Sequence, residues 1–297
     1  MSILRDNINL GPGEIRRQIK SGFVVAAGIF NGISAIQAEK AGFRTLYLSG
    51  SGVAACMGLP DLSFTTMTEV VNEVSRITDV TKSPLIVDVD TGFGEPINVT
   101  RTVRQVEKAG GSAIHLEDQV LPKKCGHLSG KKIVPDEEMV HKIRAAVSAR
   151  KNPDFLIIAR TDARSVLGIE DAIRRSNLYL ESGADMIFTE ALESEDEFRK
   201  FAREVRGDLL ANMTEFGKSP LLTTQQLKEI GYRAVIFPLT AFRMSLKATQ
   251  NAYDKLYSQG TQNNMLYSMM SRNEFYEVIG YHEYEREDNE LAGDENE

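Results

Sequence analysis

Residues 108–118 read Lys108-Ala-Gly-Gly-Ser-Ala-Ile-His-Leu-Glu-Asp118, and this stretch holds the fold in miniature. Lys108-Ala-Gly110 has the composition of a helix end, where glycine takes the left-handed conformation that closes the last turn. The run Ala113–Asp118 that follows is too short for a helix and too continuously apolar for a half-exposed strand. That is the pattern of a parallel strand covered on both faces. It ends on two carboxylates. The same helix-closing glycine recurs in Lys40-Ala-Gly42, Glu181-Ser-Gly183 and Glu229-Ile-Gly231.

Working outward, similar apolar runs appear at Phe23–Ile29, Thr45–Leu48, Pro84–Asp90, Phe155–Asp162, Met186–Glu190, Leu209–Glu215 and Ala234–Leu239. The segments between them have a 3.6-residue apolar period. Pro135–Arg150 puts Met139, Ile143, Ala146 and Val147 on one face, with the proline at the first turn. Thr66–Thr78 and Glu170–Glu181 repeat the pattern. Eight strand–helix alternations with short connections predict an α/β fold, a (β/α)8 TIM-type barrel. The structural alternative is a doubly wound open sheet; the absence of G-x-G-x-x-G after the first strand weakens its dinucleotide-binding version.

The 297 residues carry a net charge of −7, with 42% hydrophobic and 26% charged residues, which suits one large globular domain. That charge argues against general affinity for nucleic acid or anionic membrane. Only two cysteines occur, Cys56 and Cys125, so the chain is expected in a reducing compartment. No apolar run has the length of a transmembrane helix and residues 1–20 lack an apolar core, so the expected location is cytoplasmic. Residues 1–280 are expected to form one barrel domain that includes C-terminal helices. Those helices fall at Ala241–Ser258 and Asn263–Ile279. The second bears Met265, Leu266, Met269, Met270, Phe275 and Tyr276, more apolar surface than a solvated tail needs, and so predicts docking or swapping between subunits. The acidic residues 281–297 are expected to be disordered.

Reactive groups of such a barrel belong at the C-terminal ends of its strands. Those ends carry Tyr47, Ser49, Gly50 and Ser51 on the second, Asp88 and Asp90 on the third, and Glu117 on the fourth. Arg160, Glu190, Asn212 and Thr214 follow on the fifth to seventh, Arg243 stands beyond the eighth, and Asp61 lies in the loop after the second. Asp61, Asp88, Asp90, Glu117 and Glu190 would repel one another in one cavity without a cation, and Mg2+ suits such oxygen donors. Alternate residues of a strand share a face, which puts Asp88 and Asp90 together. Arg160 and Arg243 suit a substrate with several carboxylates. Asp118 and Asp162 read as caps or turns, His115 and His141 as structural, and Cys56 as a buried inert thiol.

The segment Lys123-Lys-Cys-Gly-His127 adds a proton-transfer group. Lys123, Lys124 and His127 favour the Cys125 thiolate, while burial under a closing loop favours the thiol. Either form can exchange a proton near neutrality.

With these residues assembled, the chain resembles the isocitrate lyase/phosphoenolpyruvate mutase superfamily, and most closely its methylisocitrate-cleaving branch. The resemblance spans about residues 10–285. It is carried by Tyr47-Leu-Ser-Gly50, Gly58-Leu-Pro-Asp61, Val87-Asp-Val-Asp-Thr-Gly-Phe-Gly94, Leu116-Glu-Asp-Gln119 and Lys123–His127. Ala159-Arg-Thr-Asp162, Asn212-Met-Thr-Glu-Phe-Gly217, Pro238-Leu-Thr-Ala-Phe-Arg243 and Arg272-Asn-Glu274 complete it. It implies a retro-Claisen cleavage of 2-methylisocitrate to pyruvate and succinate, with Asp88, Asp90 and Asp61 as the metal site for Mg2+ (or Mn2+). It further implies Cys125, Tyr47, Arg160, Glu117 and His127 as catalytic residues, with Cys125 protonating the succinate carbanion. Substrate contacts fall to Ser49, Gly50, Ser51, Cys125, Gly126, Arg160, Glu190, Asn212, Met213, Thr214, Arg243 and Arg272. The general base stays open. A small tricarboxylate substrate and a homo-oligomer, a tetramer, are implied, with no nucleic-acid or membrane partner. After His127 the chain reads Leu-Ser-Gly-Lys131, where many methylisocitrate-cleaving enzymes have Arg-Pro-Asn-Lys. This keeps sister lyases acting on 2,3-dimethylmalate, isocitrate or another 2-hydroxy diacid as the alternative. A phosphonate mutase or oxaloacetate decarboxylase is the more distant one.

Overall fold

The computed structural model describes residues 9–293. Its strands are β1 (Val24–Ile29), β2 (Thr45–Leu48), β3 (Leu85–Asp88), β4 (Ala113–Glu117), β5 (Leu156–Thr161), β6 (Met186–Thr189), β7 (Asp208–Asn212) and β8 (Ala234–Phe237). Each pairs in parallel with the next, and β8 pairs with β1, so the sheet closes into an eight-stranded barrel as the sequence predicts. The helices are α1 (Pro12–Ser21), α2 (Gly32–Lys40), α3 (Gly50–Cys56), α4 (Met67–Thr78), α5 (Pro96–Lys108), α6 (Asp136–Ala149), α7 (Arg164–Leu167), α8 (Ile169–Glu181), α9 (Glu195–Glu204), α10 (Thr224–Ile230), α11 (Thr240–Gln259), α12 (Arg272–Ile279) and α13 (Tyr281–Ala292). Several expected strands run one to three residues too far. Pro84–Asp90, for example, stops at Asp88, because Asp90 turns to φ 48 and leaves the ladder.

Two apolar cores result from strand alternation. Outward side chains such as Leu46, Leu48, Val87, Ile114, Leu116, Ile157 and Ile187 pack under the helices. Their partners include Val70, Val74 and Ile77 of α4 and Val99, Val103 and Val106 of α5. Inward side chains Val24, Ala26, Ile86, Ala113, Leu156, Ile158, Met186, Phe188, Leu210, Ala234 and Ile236 fill the barrel itself. Ile15 of α1 joins this inner core from the N-terminal end of the barrel, and Gln18 of α1 accepts a 2.9 Å hydrogen bond from Thr45. On the same inward rows, two or four residues further on, stand Asp88, Glu117, Arg160, Glu190 and Asn212. The barrel is therefore oily at one end and ionic at the other.

Beyond β8 the expected helix 241–258 is α11. The expected continuous helix 263–279 is broken into a 3-10 segment (Asn263–Ser268) and α12. The break has a local cause: Ser271 caps the Glu274 amide and Glu274 caps the Ser271 amide, which starts a new helix just after an extended Met269. The acidic segment expected to be disordered is instead helical over Tyr281–Ala292, and Tyr281 stacks on Tyr276 with centroids 4.4 Å apart. Residues 294–297 lie outside the described residues. No helix among the described residues is long and apolar enough to cross a membrane.

Candidate active site

At the C-terminal ends of the strands the buried polar groups form one continuous network. Asp88 ends β3. Its Oδ2 accepts the Gly50 amide at 3.0 Å and its Oδ1 accepts the Asp90 amide at 3.0 Å. A side chain at Gly50 would press on Asp88, which explains glycine at the first turn of α3. Asp90 does share a side with Asp88, although strand alternation is not the reason, since it lies beyond β3 in the left-handed region that Asp tolerates. The buried Lys123 ammonium lies 2.9 Å from Asp90 and also pairs with Asp61. Lys123 was expected only to tune Cys125; its place is in the carboxylate cluster. Burial pushes the Asp90 carboxyl up, to about 6, against the pull of Lys123. Burial likewise raises Glu117 well above the carboxylate range.

Arg160, at the end of β5, is held between three acids. Its Nε lies 3.1 Å from Glu117 and 3.0 Å from Asp162, and its second nitrogen lies 3.1 Å from Glu190. The guanidinium rests over the Phe188 ring at 5.1 Å. Burial disfavours charge on Glu190, but Arg160 and His127 outweigh it and hold this carboxyl well below its ordinary range. Ala191 next to it has φ 57, a strained conformation that lets its amide bond Glu190 at 3.0 Å. The Asn212 amide lies 3.3 Å from Glu190.

Tyr47 and His115 face each other on β2 and β4 at 2.8 Å, with rings stacked at 5.6 Å. Tyr47 also reaches Asp88 at 3.5 Å. His115 Nδ1 is buried without a hydrogen-bond partner, so that nitrogen is better left unprotonated. Nε2–H then donates to the Tyr47 oxygen, and the Tyr47 hydroxyl is free to donate toward Asp88 or a substrate. Burial lowers the imidazole to about 4 and raises the phenol well above its usual range, so both stay neutral near pH 7.

The cysteine loop closes over this floor. Gln119 binds Lys124 through both backbone groups at 2.9 and 3.0 Å, and Val120 bonds the Lys132 carbonyl at 2.8 Å, which pins the loop's two limbs together. His127 Nε2 lies 2.9 Å from Glu190, and its Nδ1 accepts the Lys218 amide at 2.9 Å. The proton is therefore on Nε2, and His127 acts as a tether between the loop, β6 and the segment after β7. A side chain on Gly126 would overlap Arg160 and Glu190. Cys125 is half-buried, and burial raises its thiol, so of the two expected influences burial prevails over the neighbouring cations.

Other expected residues fall into three groups. Ser49 is buried at the N-cap of α3 and Thr214 is buried beyond β7, both on the rim. Met213, just beyond β7, packs into the outer core, with its sulfur accepting the Leu222 amide at 3.2 Å, so its side chain faces away from the cavity, continuing the outward row of Leu209 and Ala211. Arg243 binds the Glu215 carbonyl at 2.5 Å and covers Phe216 at 5.4 Å, at the edge of the rim. Arg272 is exposed at the start of α12, a helix that packs on α2 outside the barrel. Cys56 is exposed, not buried, because α3 ends there on the surface.

His115 and Asp162, which the sequence reads as structural and as a cap or turn, belong to the network, and so does Lys131. His115 precedes Glu117 by two and Asp162 follows Arg160 by two, so the alternation that found their neighbours could have found both. Asp162 is no surface turn: it is fully buried between Arg160 and Lys131, the latter at 2.6 Å. Asp118, also fully buried, is a scaffold acceptor for Thr161 and Tyr179, each at 2.8 Å.

Asp88, Asp90, Glu117, Asp162 and Glu190 are buried, yet only Lys123, Lys131 and Arg160 are buried among them as cations. Glu117 Oε1 has no partner at all. This surplus of hard oxygen donors fits a divalent cation. Among the described residues no three such groups form a finished ligand cage. A cation that keeps most of its waters does not require one.

The model of a family described as phosphoenolpyruvate phosphomutase matches residues 16–257. A 2-methylisocitrate lyase of Aeropyrum pernix is 53% identical over 283 residues, 95% of this chain and 91% of that protein. Among solved structures, a 2,3-dimethylmalate lyase superposes with a TM-score of 0.89 at 36% identity, covering 94% of this chain and 95% of its own. Phosphonopyruvate hydrolase in complex with oxalate and Mg2+ does so at 0.84 and 30%, covering 93% and 97%.

Proposed function

Since the chain belongs to the phosphoenolpyruvate phosphomutase family and is a carbon–carbon lyase within it, we propose that it cleaves 2-methylisocitrate to pyruvate and succinate. The observation that carries this reading is the seating of Gly126 against Arg160 and Glu190, which brings a protonated Cys125 above a floor of carboxylates. A relative 53% identical over nearly its whole length supports the choice of substrate.

Asp88, Asp90 and Asp61, with Glu117 beside them, are the residues to hold a divalent cation, Mg2+ by the chemistry of the donors and by the likeness to a hydrolase that binds it. Such a cation supplies Lewis-acid stabilisation of negative oxygen. Ser49, Gly50, Ser51 and Arg160 grip the 2-hydroxy acid end of the substrate. Asn212, Thr214, Gly126 and Arg243 hold the succinyl carboxylates, and Arg272 can join them only from a neighbouring subunit. Tyr47, neutral and backed by His115, donates a hydrogen bond to the developing oxyanion. Once a buried carboxylate of the site takes the hydroxyl proton, the oxygen's electron pair forms the keto group of pyruvate and the C–C bond breaks. The released pair resides on the carbon beside a succinate carboxylate. That carbon takes the Cys125 proton, leaving a thiolate to be reprotonated before the next turnover.

Only Phe242 of α11 is buried, and Met244, Leu246, Tyr253 and Tyr257 of that helix are exposed. Those residues, with Leu266, Tyr267 and Phe275, form the surface by which subunits assemble into a tetramer.

The test is release of pyruvate from 2-methylisocitrate in the presence of Mg2+, with 2,3-dimethylmalate and isocitrate assayed in parallel. The highest kcat/KM with 2-methylisocitrate is expected. A higher value with 2,3-dimethylmalate would transfer the assignment to the sister activity, which the structural likeness and Leu128-Ser-Gly-Lys131 favour as the second reading.

A further inference from the structure

We propose that Lys131 is the latch of the cysteine loop, a positioning residue that fixes the Gly126 carbonyl, and with it Cys125, against the end of β5. The proposal rests on Cys125 being the proton donor above.

Lys131 lies on the return limb of the loop, and its side chain is only 1% exposed. Its ammonium donates to the Gly126 carbonyl and lies 2.6 Å from Asp162 Oδ1. Asp162 is itself immobilised: its amide bonds Asp118 at 2.9 Å, and its Oδ2 holds Arg160 Nε at 3.0 Å. One carboxylate therefore grips the loop through one oxygen and the substrate-facing guanidinium through the other. An ammonium stripped of water is costly unless its donors are satisfied. Here the satisfying pair exists only with the loop down, because one acceptor belongs to the loop and the other to the barrel. Lys131 thus converts a buried charge into closure, and it touches neither the acid cluster around Asp88 nor the thiol.

The experiment reads the loop without turnover. Full-length protein is treated with iodoacetamide, and alkylation of Cys125 and Cys56 is followed by peptide mass spectrometry. Exposed Cys56 serves as the internal standard. In Lys131→Met the Cys125-to-Cys56 rate ratio is expected to rise by at least about tenfold, the scale of losing a buried ion pair that holds a local closure. Removing a cation would by itself slow the thiol, so the expected change has the opposite sign to an electrostatic effect. General loosening of the fold would also raise the ratio, because exposed Cys56 gains little from it, but it would lower the melting temperature, so the ratio is read in a variant that melts within a few degrees of the parent. Lys131→Gln, polar and of similar length, carries the same test should the methionine variant not fold. An unchanged ratio in the variant that folds overturns the latch. Failure on 2-methylisocitrate would leave the alkylation result standing, so the two readings can fail separately.

Discussion

The Tyr47 hydroxyl and His115 Nε2 are 2.8 Å apart, with ring planes inclined by only 10°. The pair joins the oily and ionic halves of the barrel. Below it the His115 ring meets Phe188 edge-on at 5.4 Å, and above it Tyr47 reaches Asp88. Tyr47→Phe keeps the stacking and removes the donor. We expect kcat/KM to fall by about 10²-fold or more, with the melting temperature within a few degrees of the parent. A kinetic loss below fivefold would remove Tyr47 from the chemistry.

His115 also carries a stability signature. Its folded value is depressed to about 4, so the unfolded chain binds the extra proton first as pH falls. The stability it contributes is full above about pH 6.5 and drains away toward pH 4, by roughly 2–3 kcal/mol at pH 4.5. Asp90, raised to about 6, runs the opposite way over the same range. The wild-type profile alone is therefore uninformative. The difference between wild type and His115→Asn in urea titrations at pH 7 and pH 4.5, with chelator present, should show it. A pH-independent difference would mean that the imidazole binds protons equally in the folded and unfolded chain, and a difference of the opposite sign that it is charged in the fold.

Cys125 is expected to act from its thiol form. Cys125→Ser should cost at least about 10²-fold in kcat, since a hydroxyl is a far weaker acid. Because burial raises the thiol, the group stays protonated further into alkaline pH than a free cysteine. An alkaline limb in kcat that falls below pH 8 would contradict this acid.

Removal of divalent cations by chelation should abolish turnover, and Mg2+ should restore it, with Mn2+ compared at equal concentration. Asp88→Asn should lower kcat/KM by about 10²-fold or more and flatten its dependence on added metal. Activity that survives exhaustive chelation would refute the metal site.

Sedimentation at micromolar concentration is expected to give a mass near four times the 33.0 kDa of the chain. Leu246→Glu with Tyr257→Glu should break that assembly, as both residues are exposed on α11. A monomer in the parent protein would remove the subunit-contact role of α11.

The barrel was legible because six strands, β2 to β7, obey one pattern, a buried apolar run closed by a polar group, and β1 and β8 are apolar runs of the same length range. Asp88, Glu117, Arg160 and Glu190 were found as the terminal residues of such runs. Lys123 and Lys131 were not assigned their partners, since a loop lysine gives no local sign of which carboxylate it will reach across the barrel. Asp162 has a different reason: an aspartate at a strand end reads locally as a cap or turn, and only its spacing of two from Arg160 signals that both face the same side. The exposed Cys56 and the helical Tyr281–Ala292 are failures of local composition, overruled by where a helix ends and by a tyrosine stack.

Gly126 leaves no room even for a methyl group between the cysteine loop and the Arg160–Glu190 pair. The backbone of the loop thus sits directly against that pair. If Cys125 is the proton donor proposed above, substrate must enter before the loop seats, and both products must wait until it lifts. Turnover would then run at the pace of a hinge, and a faster catalyst would come from a looser hinge before a stronger acid.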